Sequence, residues 1–316
     1  MFSFLFSSLK CAVVLSHARK STNSNVKDLP LSAISNSTSI VTNMKSDEAE
    51  QTERVRNKGQ PNGLFRSCMD KIKHSHGVGQ TLRTAKLAAG LLSDKNCYAE
   101  LLVQFYVVTK AMEKRMDAML LQSKESGDTH EHNYNLLRKV KNDLGYAFCH
   151  GYERDLEYLL GQSDWEKTVE TWTTQPAMKY MERMMNANED ELVAAAFILW
   201  GPLVIGGGAA LKPRVTRAFG VGATHVFEDV VGPRRAERRH QFIQVYDTLL
   251  DSEEEVNKKK ETFNSIVQCS GEFMDLNNEM MMAVRQRPWW YKYILMGAFF
   301  AVSMVPARYA YMHLRK

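Results

Sequence analysis

The sequence lacks paired cysteines. Only five cysteines occur in 316 residues, and no two of them form a Cys-x-x-Cys motif. They are scattered along the chain at Cys11, Cys68, Cys97, Cys149 and Cys269. This distribution argues against a disulfide framework and against a zinc site, and it favours a reducing compartment.

The sequence also lacks a strong excess of charge. Its 41 basic and 36 acidic side chains give a net charge of +5. So small an excess, with no basic stripe interleaved with stacking aromatic residues, argues against a nucleic-acid partner. A phosphate-binding loop is not indicated either. The glycines Gly206–Gly208 are neither preceded by a predicted strand nor followed by Gly-Lys-Ser/Thr.

No stretch of any length alternates apolar and polar residues as a strand does. From Leu64 onward, apolar residues instead recur every three or four positions, which is the period of a helix. This spacing is clearest at Leu101, Phe105, Val108 and Met112, and again at Leu136, Val140, Leu144 and Phe148. Helices are also predicted over 178–185, 189–211, 234–251 and 253–284. The sequence therefore predicts an all-α domain over residues 63–285, with about seven to nine helices in an irregular bundle.

The first 62 residues are unlike a folded core. They are rich in Ser, Thr and Asn and have no sustained apolar period, so we expect a disordered tail over residues 1–62. No acidic residue precedes Asp28, whereas Lys10, Arg19, Lys20 and Lys27 are basic. That composition is typical of a mitochondrial transit peptide. A plain disordered tail and a signal anchor remain the alternatives.

The C-terminal segment 288–312 has the composition of a membrane helix. Tyr293 to Ala307 carries no charge, and it is flanked by Trp and Tyr residues and by basic side chains. The uncharged part spans only about 22 Å as a helix, but Trp289 to Met312 is long enough if Lys292 and Arg308 extend to the interface. We expect a single-pass tail anchor in a mitochondrial membrane, with the endoplasmic reticulum as the alternative membrane and an interfacial helix as the alternative structure.

The longest apolar run lies at Glu189 to Lys212 and contains an unusual number of helix-breaking residues. Gly201 and Pro202 are followed by the three glycines Gly206–Gly208. Each interior glycine costs a helix about 1 kcal/mol relative to alanine. The run therefore predicts either a kink or the close approach of a flat or bulky group to the backbone.

This run resembles the distal helix of the haem oxygenases, which ends in Gly-Gly-x-x-Leu-Lys as Gly207 to Lys212 does. Other segments resemble the same family in the same order: D-L-E-Y-L-L-G at 155–161 followed by W-E at 165–166, K-Y-M-E-R at 179–183, and F-I-Q-V-Y at 242–246. The membrane tail is similar to that of tail-anchored members. The resemblance covers most of residues 64–282 and implies a haem-oxygenase-like helical bundle with haem as cofactor.

The resemblance also implies candidate haem-binding residues. Counting back without gaps from Ala111-Met-Glu113 places the family's iron-ligating histidine at His76, and Gln80 then stands where a glutamate would orient the ring. A rival alignment with a gap puts Lys86 at that position and leaves no ligand. The candidate iron ligand is His76, and the candidate haem-binding residues are His76, Gln80, Gly206, Gly207 and Gly208.

The catalytic positions of the family are not kept on the distal helix. Val204 stands where the family has the aspartate that organises a proton-delivering water network, and Gly206 replaces a neighbouring serine. Ile198 and Trp200 occupy positions that are polar or basic in the family. No catalytic residue can therefore be assigned.

The positions that would hold the haem propionates are also changed. Ile243 and Asp247 replace basic residues, and an aspartate facing a propionate would repel it. A nearby basic cluster, Arg234, Arg235, Arg238 and Arg239, is a substitute, although a solvated face or a contact with anionic lipid headgroups is the alternative.

Taken together, these features predict a membrane-anchored haem-oxygenase-like protein that is a catalytically degenerate scaffold or a haem-binding protein. The alternative is an active haem oxygenase that cleaves haem to biliverdin, CO and iron with O2 and a reductase. A reductase or another protein partner is expected, and no nucleic acid.

Overall fold

The computed structural model of the chain describes residues 59–88, 90–125, 134–161, 165–251, 253, 255–285, 293 and 296. All of these residues belong to one compact unit. Within them, every regular element is a helix. The ten α-helices are α1 Leu64–Ala88, α2 Lys95–Glu125, α3 Asn135–Leu144, α4 Phe148–Leu160, α5 Trp165–Trp172, α6 Gln175–Met185, α7 Glu189–Ile205, α8 Gly207–Phe219, α9 Arg235–Asp247 and α10 Val256–Ala283, and two 3-10 turns follow α8, η1 Val221–Ala223 and η2 His225–Phe227.

The predicted all-α class is confirmed, but the described residues contain more helices than the seven to nine predicted. The predicted helix 189–211 is divided at Gly206 into α7 and α8, which are bent by 61°. The apolar period from Leu136 to Phe148 also crosses a helix end. Gly145, with a φ of 62°, adopts the left-handed conformation that closes α3.

Helix α7 forms the centre of the bundle. Its residues 192–201 are buried without interruption, which is why the run is apolar on all faces. Its N-terminus is closed by a capping box: the Asn188 side chain accepts from the Glu191 backbone N–H at 3.0 Å, and the Glu191 carboxylate accepts from the Asn188 N–H at 3.1 Å. The rings of Phe197, Phe242 and Tyr246 pack together, with Phe197 and Tyr246 centroids 5.1 Å apart.

Helices α1 and α10 cross closely, and this crossing places the middle of α1 against the core. The Asn278 amide donates to the Ser75 carbonyl at 2.8 Å, and the Ser75 hydroxyl donates to Asp275 at 2.6 Å. A Cβ atom on Gly79 would lie 2.7 Å from Asn278 Oδ1. A larger residue at Gly79 would therefore have to displace the Asn278 side chain, which is hydrogen-bonded to Ser75.

The glycines at the break between α7 and α8 allow the chain to bend there. A Cβ atom on Gly207 would lie 2.6 Å from the Pro202 carbonyl oxygen, and one on Gly208 would lie 2.5 Å from the Leu203 carbonyl oxygen. Gly206 differs, because its φ of 178° is extended backbone and its Cβ would meet nothing within 4 Å. The predicted kink is thus present, and two of the three glycines are required by it.

Both predicted terminal segments fall almost wholly outside the described residues. Of the tail 1–62, residues 59–62 are described, and of the predicted membrane helix 288–312, only Tyr293 and Met296. In the described part of the chain, no single helix is both long and apolar enough to span a membrane. The bent pair α7 and α8 passes that test by length and composition only.

Two matched substitutions test the account of the break. Gly208→Ala should lower the free energy of unfolding by about 1–3 kcal/mol, because its methyl group would overlap a backbone carbonyl that cannot move independently. Gly206→Ala should leave the free energy of unfolding unchanged or raise it slightly. Urea unfolding followed by circular dichroism measures both variants. Equal destabilisation by the two would contradict this account.

Candidate functional site

An apolar cavity of about 120 Å³ lies beside α7, with walls from α1, α2, α4, α7, α8, η2 and α10. Leu101, Leu102 and Phe105 of α2 face Ile198 and Leu203 of α7 across it. The polar side chains in the wall are few: His76, Arg83, Tyr98, Tyr152 and Asn277. Such a mixture, apolar walls with a small number of polar groups, is the usual make-up of a ligand site.

His76, Gly79 and Arg83 line the cavity from one face of α1. They share that face because their spacing of three and four residues matches the helical period. Burial lowers the pKa of the partly buried His76, and the positive charge of Arg83 lowers it further. The ring is therefore biased towards the neutral form, which is the form that binds a metal ion.

Of the predicted haem-binding residues, the structure brings His76 and Gly207 to this cavity. Gln80 is exposed, and the wall is formed without Gln80, Gly206 or Gly208. The rival position Lys86 also lies outside the wall, and its ammonium group donates to the Val284 carbonyl at 3.1 Å. Between the two alignments, only the one that selects His76 points to a residue in the cavity.

The side of the cavity formed by α7 and α8 carries no ionisable group among the described residues. This side consists of Ile198, Leu199, Pro202, Leu203, Gly207 and Leu211. Val204 is buried in the core outside this wall. Trp200 is also outside it, with its ring centroid 5.8 Å from that of Tyr146. The expected loss of acid–base groups from this helix therefore extends to every residue of α7 and α8 that faces the cavity.

Asp247 and Arg238, one of the clustered arginines, make their contacts outside the cavity. The Asp247 carboxylate accepts the backbone N–H groups of Gln60 at 2.8 Å and Phe65 at 3.2 Å, so it closes the start of α1. Arg238 donates to the Leu144 carbonyl at 3.0 Å, and its guanidinium lies 5.6 Å from the centre of the Tyr146 ring. Neither residue lines the cavity, and neither do Ile243, Arg234, Arg235 or Arg239.

The basic residue that does line the cavity is Arg83, which the sequence analysis missed. A signal was present, since Arg83 follows His76 by two helical turns and so shares its face. Tyr98 and Asn277 were missed as well, and they carried no local signal because they come from α2 and α10. Both the Tyr98 hydroxyl and Asn277 Oδ1 are buried, and neither has a hydrogen-bond partner in the part of the chain that the structure describes. Leaving such an atom unpaired costs about 1–3 kcal/mol.

A buried carboxylate and a histidine, Asp155 and His225, fix another part of the wall as a hydrogen-bonded pair. The Asp155 carboxylate, which is fully buried, accepts from the backbone N–H groups of His225 at 2.7 Å and Val226 at 3.2 Å, and lies 2.9 Å from His225 Nδ1. Burial raises the pKa of Asp155, and the hydrogen bonds from His225 oppose that shift. The pair holds η2 against α4, so that Val226 and Phe227 reach the cavity.

No set of three or more His, Cys, Asp or Glu side chains that could hold a metal ion occurs in the described ranges. A metal in this cavity would therefore have to arrive within a cofactor that supplies most of its ligands.

Comparison with known proteins agrees with the resemblance. The family model described as Heme oxygenase matches residues 70–283, more than half of the chain. The crystal structure of heme oxygenase 2 from Chlamydomonas reinhardtii without heme has a TM-score of 0.57 at 21% identity, covering 71% of this chain and 98% of that one. Heme oxygenase-1 from Synechocystis sp. PCC6803 in complex with heme has a TM-score of 0.55 at 20% identity, covering 76% and 99%. At these identities the structures show a common fold, and no curated protein sequence matches the chain.

The electrostatic coupling between His76 and Arg83 can be measured directly. The titration midpoint of His76, followed by NMR of its ring, should lie below 6.5 in the wild type. Arg83→Gln should raise it, because the substitution removes the positive charge that disfavours the imidazolium ion. Arg214→Gln, which changes an exposed arginine of α8, should leave the midpoint unchanged. An unchanged midpoint in Arg83→Gln would show that Arg83 does not act on this ring.

Proposed function

The chain belongs to the haem oxygenase family, and we propose that it is a catalytically degenerate member that keeps the fold as a scaffold without degrading haem. The observation that carries this proposal is the wall formed by α7 and α8, which is apolar throughout. Proton delivery needs a positioned acid, base or ordered water. Aliphatic side chains, a proline and a glycine supply none of these.

The cavity volume also supports the proposal. Sites for drug-sized ligands usually enclose about 300–1,000 Å³, whereas this cavity encloses about 120 Å³. A tetrapyrrole does not fit that space, even though His76 is suitably placed to offer an imidazole. The cavity in this form therefore gives no support to a reaction of haem.

Haem binding without turnover is the second candidate function, and the position of His76 favours it. His76 is in the wall, and its lowered pKa keeps the ring available to a metal. The cavity would have to widen to admit the cofactor. An active haem oxygenase with a reductase would need that widening and, in addition, a source of protons that the α7–α8 wall does not supply.

A hemin experiment with the full chain in detergent separates these candidates. For a degenerate scaffold, hemin should give no saturable Soret band that depends on His76, and no biliverdin should form when a reductase and NADPH are added. His76→Ala is the matched control. A saturable band in the wild type that His76→Ala loses would favour haem binding. Biliverdin formation by the wild type above the His76→Ala background would refute the proposal.

We further propose that residues 288–312 anchor the protein in a membrane and that residues 1–62 direct it to mitochondria. The support is the sequence pattern: an uncharged stretch between aromatic belts at one end, and a basic, Ser-rich segment without acidic residues at the other.

Removing the anchor should change the fraction in which the protein is found. The full chain should stay with membranes after an alkaline wash, whereas a chain that ends at residue 287 should be released, because it loses the whole apolar segment. Immunoblotting of the two fractions measures this. Release of the full chain by the same wash would contradict a spanning anchor and favour an interfacial helix.

A further inference from the structure

A positively charged side chain lines the cavity without a counter-ion in the described part of the chain. This is Arg83, which is partly buried and makes no hydrogen bond or ion pair with any described residue. The described residues of the wall include no carboxylate side chain. Buried charges in proteins are normally paired, because removal from water without compensation is costly. An unpaired guanidinium beside an apolar cavity is therefore suited to an anionic ligand.

Two more polar atoms point to a ligand. The Tyr98 side chain is fully buried and Asn277 is only 5% exposed, and both line the cavity. The Tyr98 hydroxyl and Asn277 Oδ1 have no hydrogen-bond partner among the described residues. A tyrosine hydroxyl can donate to an anion, and an amide oxygen can accept from a ligand hydroxyl or N–H. The remaining wall is largely aliphatic or aromatic.

The size of the cavity limits what can enter. An engineered apolar cavity of about 150 Å³ in another protein binds benzene, and this cavity encloses about 120 Å³. One six-membered ring or a short branched chain is therefore close to the upper limit. The charge of the ligand is limited as well, because Arg83 is the one side chain in the described wall that is always positively charged.

From these observations we propose that the cavity is a binding site for a small monocarboxylate with an apolar body of about the size of benzoate. The carboxylate pairs with Arg83, and the apolar body lies between α2 and α7. Arginine is suited to this role because its planar guanidinium can donate two parallel hydrogen bonds to one carboxylate. The ligand class is distinct from haem, and the inference does not depend on whether haem is degraded.

Titration calorimetry with the full chain in detergent tests the proposal, with sodium benzoate as the probe. Benzoate should bind saturably. Benzamide, which has the same ring without the charge, should bind about tenfold more weakly or worse. Arg83→Gln should weaken benzoate by a similar factor and leave benzamide nearly unchanged. Arg214→Gln should behave as the wild type does.

Three results would overturn the proposal: no saturable binding of benzoate, equal binding of benzoate and benzamide, or unchanged benzoate affinity in folded Arg83→Gln. If Arg83→Gln does not fold, the comparison of benzoate with benzamide on the wild type still decides the question. Biliverdin production would refute the degenerate-scaffold proposal, and the benzoate titration would still decide this one, whereas failure of benzoate to bind would refute this one alone.

Discussion

The burial of α7 over residues 192–201 is the constraint on which the rest of the structure depends. A helix enclosed on all sides must be apolar on all faces, so residues 192–201 cannot show the one-sided pattern of a surface helix. Both ends of this helix must also be terminated within the bundle. At one end the Asn188–Glu191 capping box satisfies backbone donors, and at the other the chain turns at Gly206. The turn brings the carbonyl oxygens of Pro202 and Leu203 so close to α8 that Gly207 and Gly208 have no room for a side chain.

The same burial determines the character of the cavity. One side of α7 forms a wall, and the residues it presents there are as apolar as those it presents to the core. Among the described residues of the wall, the basic side chains, Arg83 and His76, both come from α1. The two sides of the cavity are thus chemically unequal: α1 is basic, and α7 with α8 is inert. A ligand with a charged end and an apolar body suits this cavity better than a ligand that needs polar groups on both faces, because its charge can meet α1 and its apolar body can meet α7 and α8.

Local patterns in the sequence were sufficient to predict the all-α class, the family resemblance and the break in the apolar run. The helical period is a property of neighbouring residues, and consecutive glycines are visible without a structure. The end of α3 was missed because Leu144 and Phe148 continue the period across Gly145, so the apolar pattern conceals a change of direction. The resemblance placed Asp247 at a position that is basic in the family, but its role at the start of α1 depends on the distant N–H groups of Gln60 and Phe65. Tyr98 and Asn277 could not be associated from sequence, because only the packing of α2 and α10 brings them to one cavity.

Three apolar residues of α7 connect the stability of the fold with its proposed function. Ile198, Trp200 and Val204 stand where the resemblance implies polar or charged side chains, and all three are buried here. Burial of a large apolar side chain contributes about 1.5–3 kcal/mol relative to exposure, whereas an unpaired polar group in the same place is unfavourable. Catalytic residues commonly lower the stability of a fold. Where their chemistry is not needed, replacement by apolar residues can raise the stability again. The fold persists because the packing of α7 needs only apolar volume, while proton delivery needs particular polar atoms at particular points. The apolar part of α7 therefore stabilises the fold, and under the proposed function it supplies no group for proton delivery.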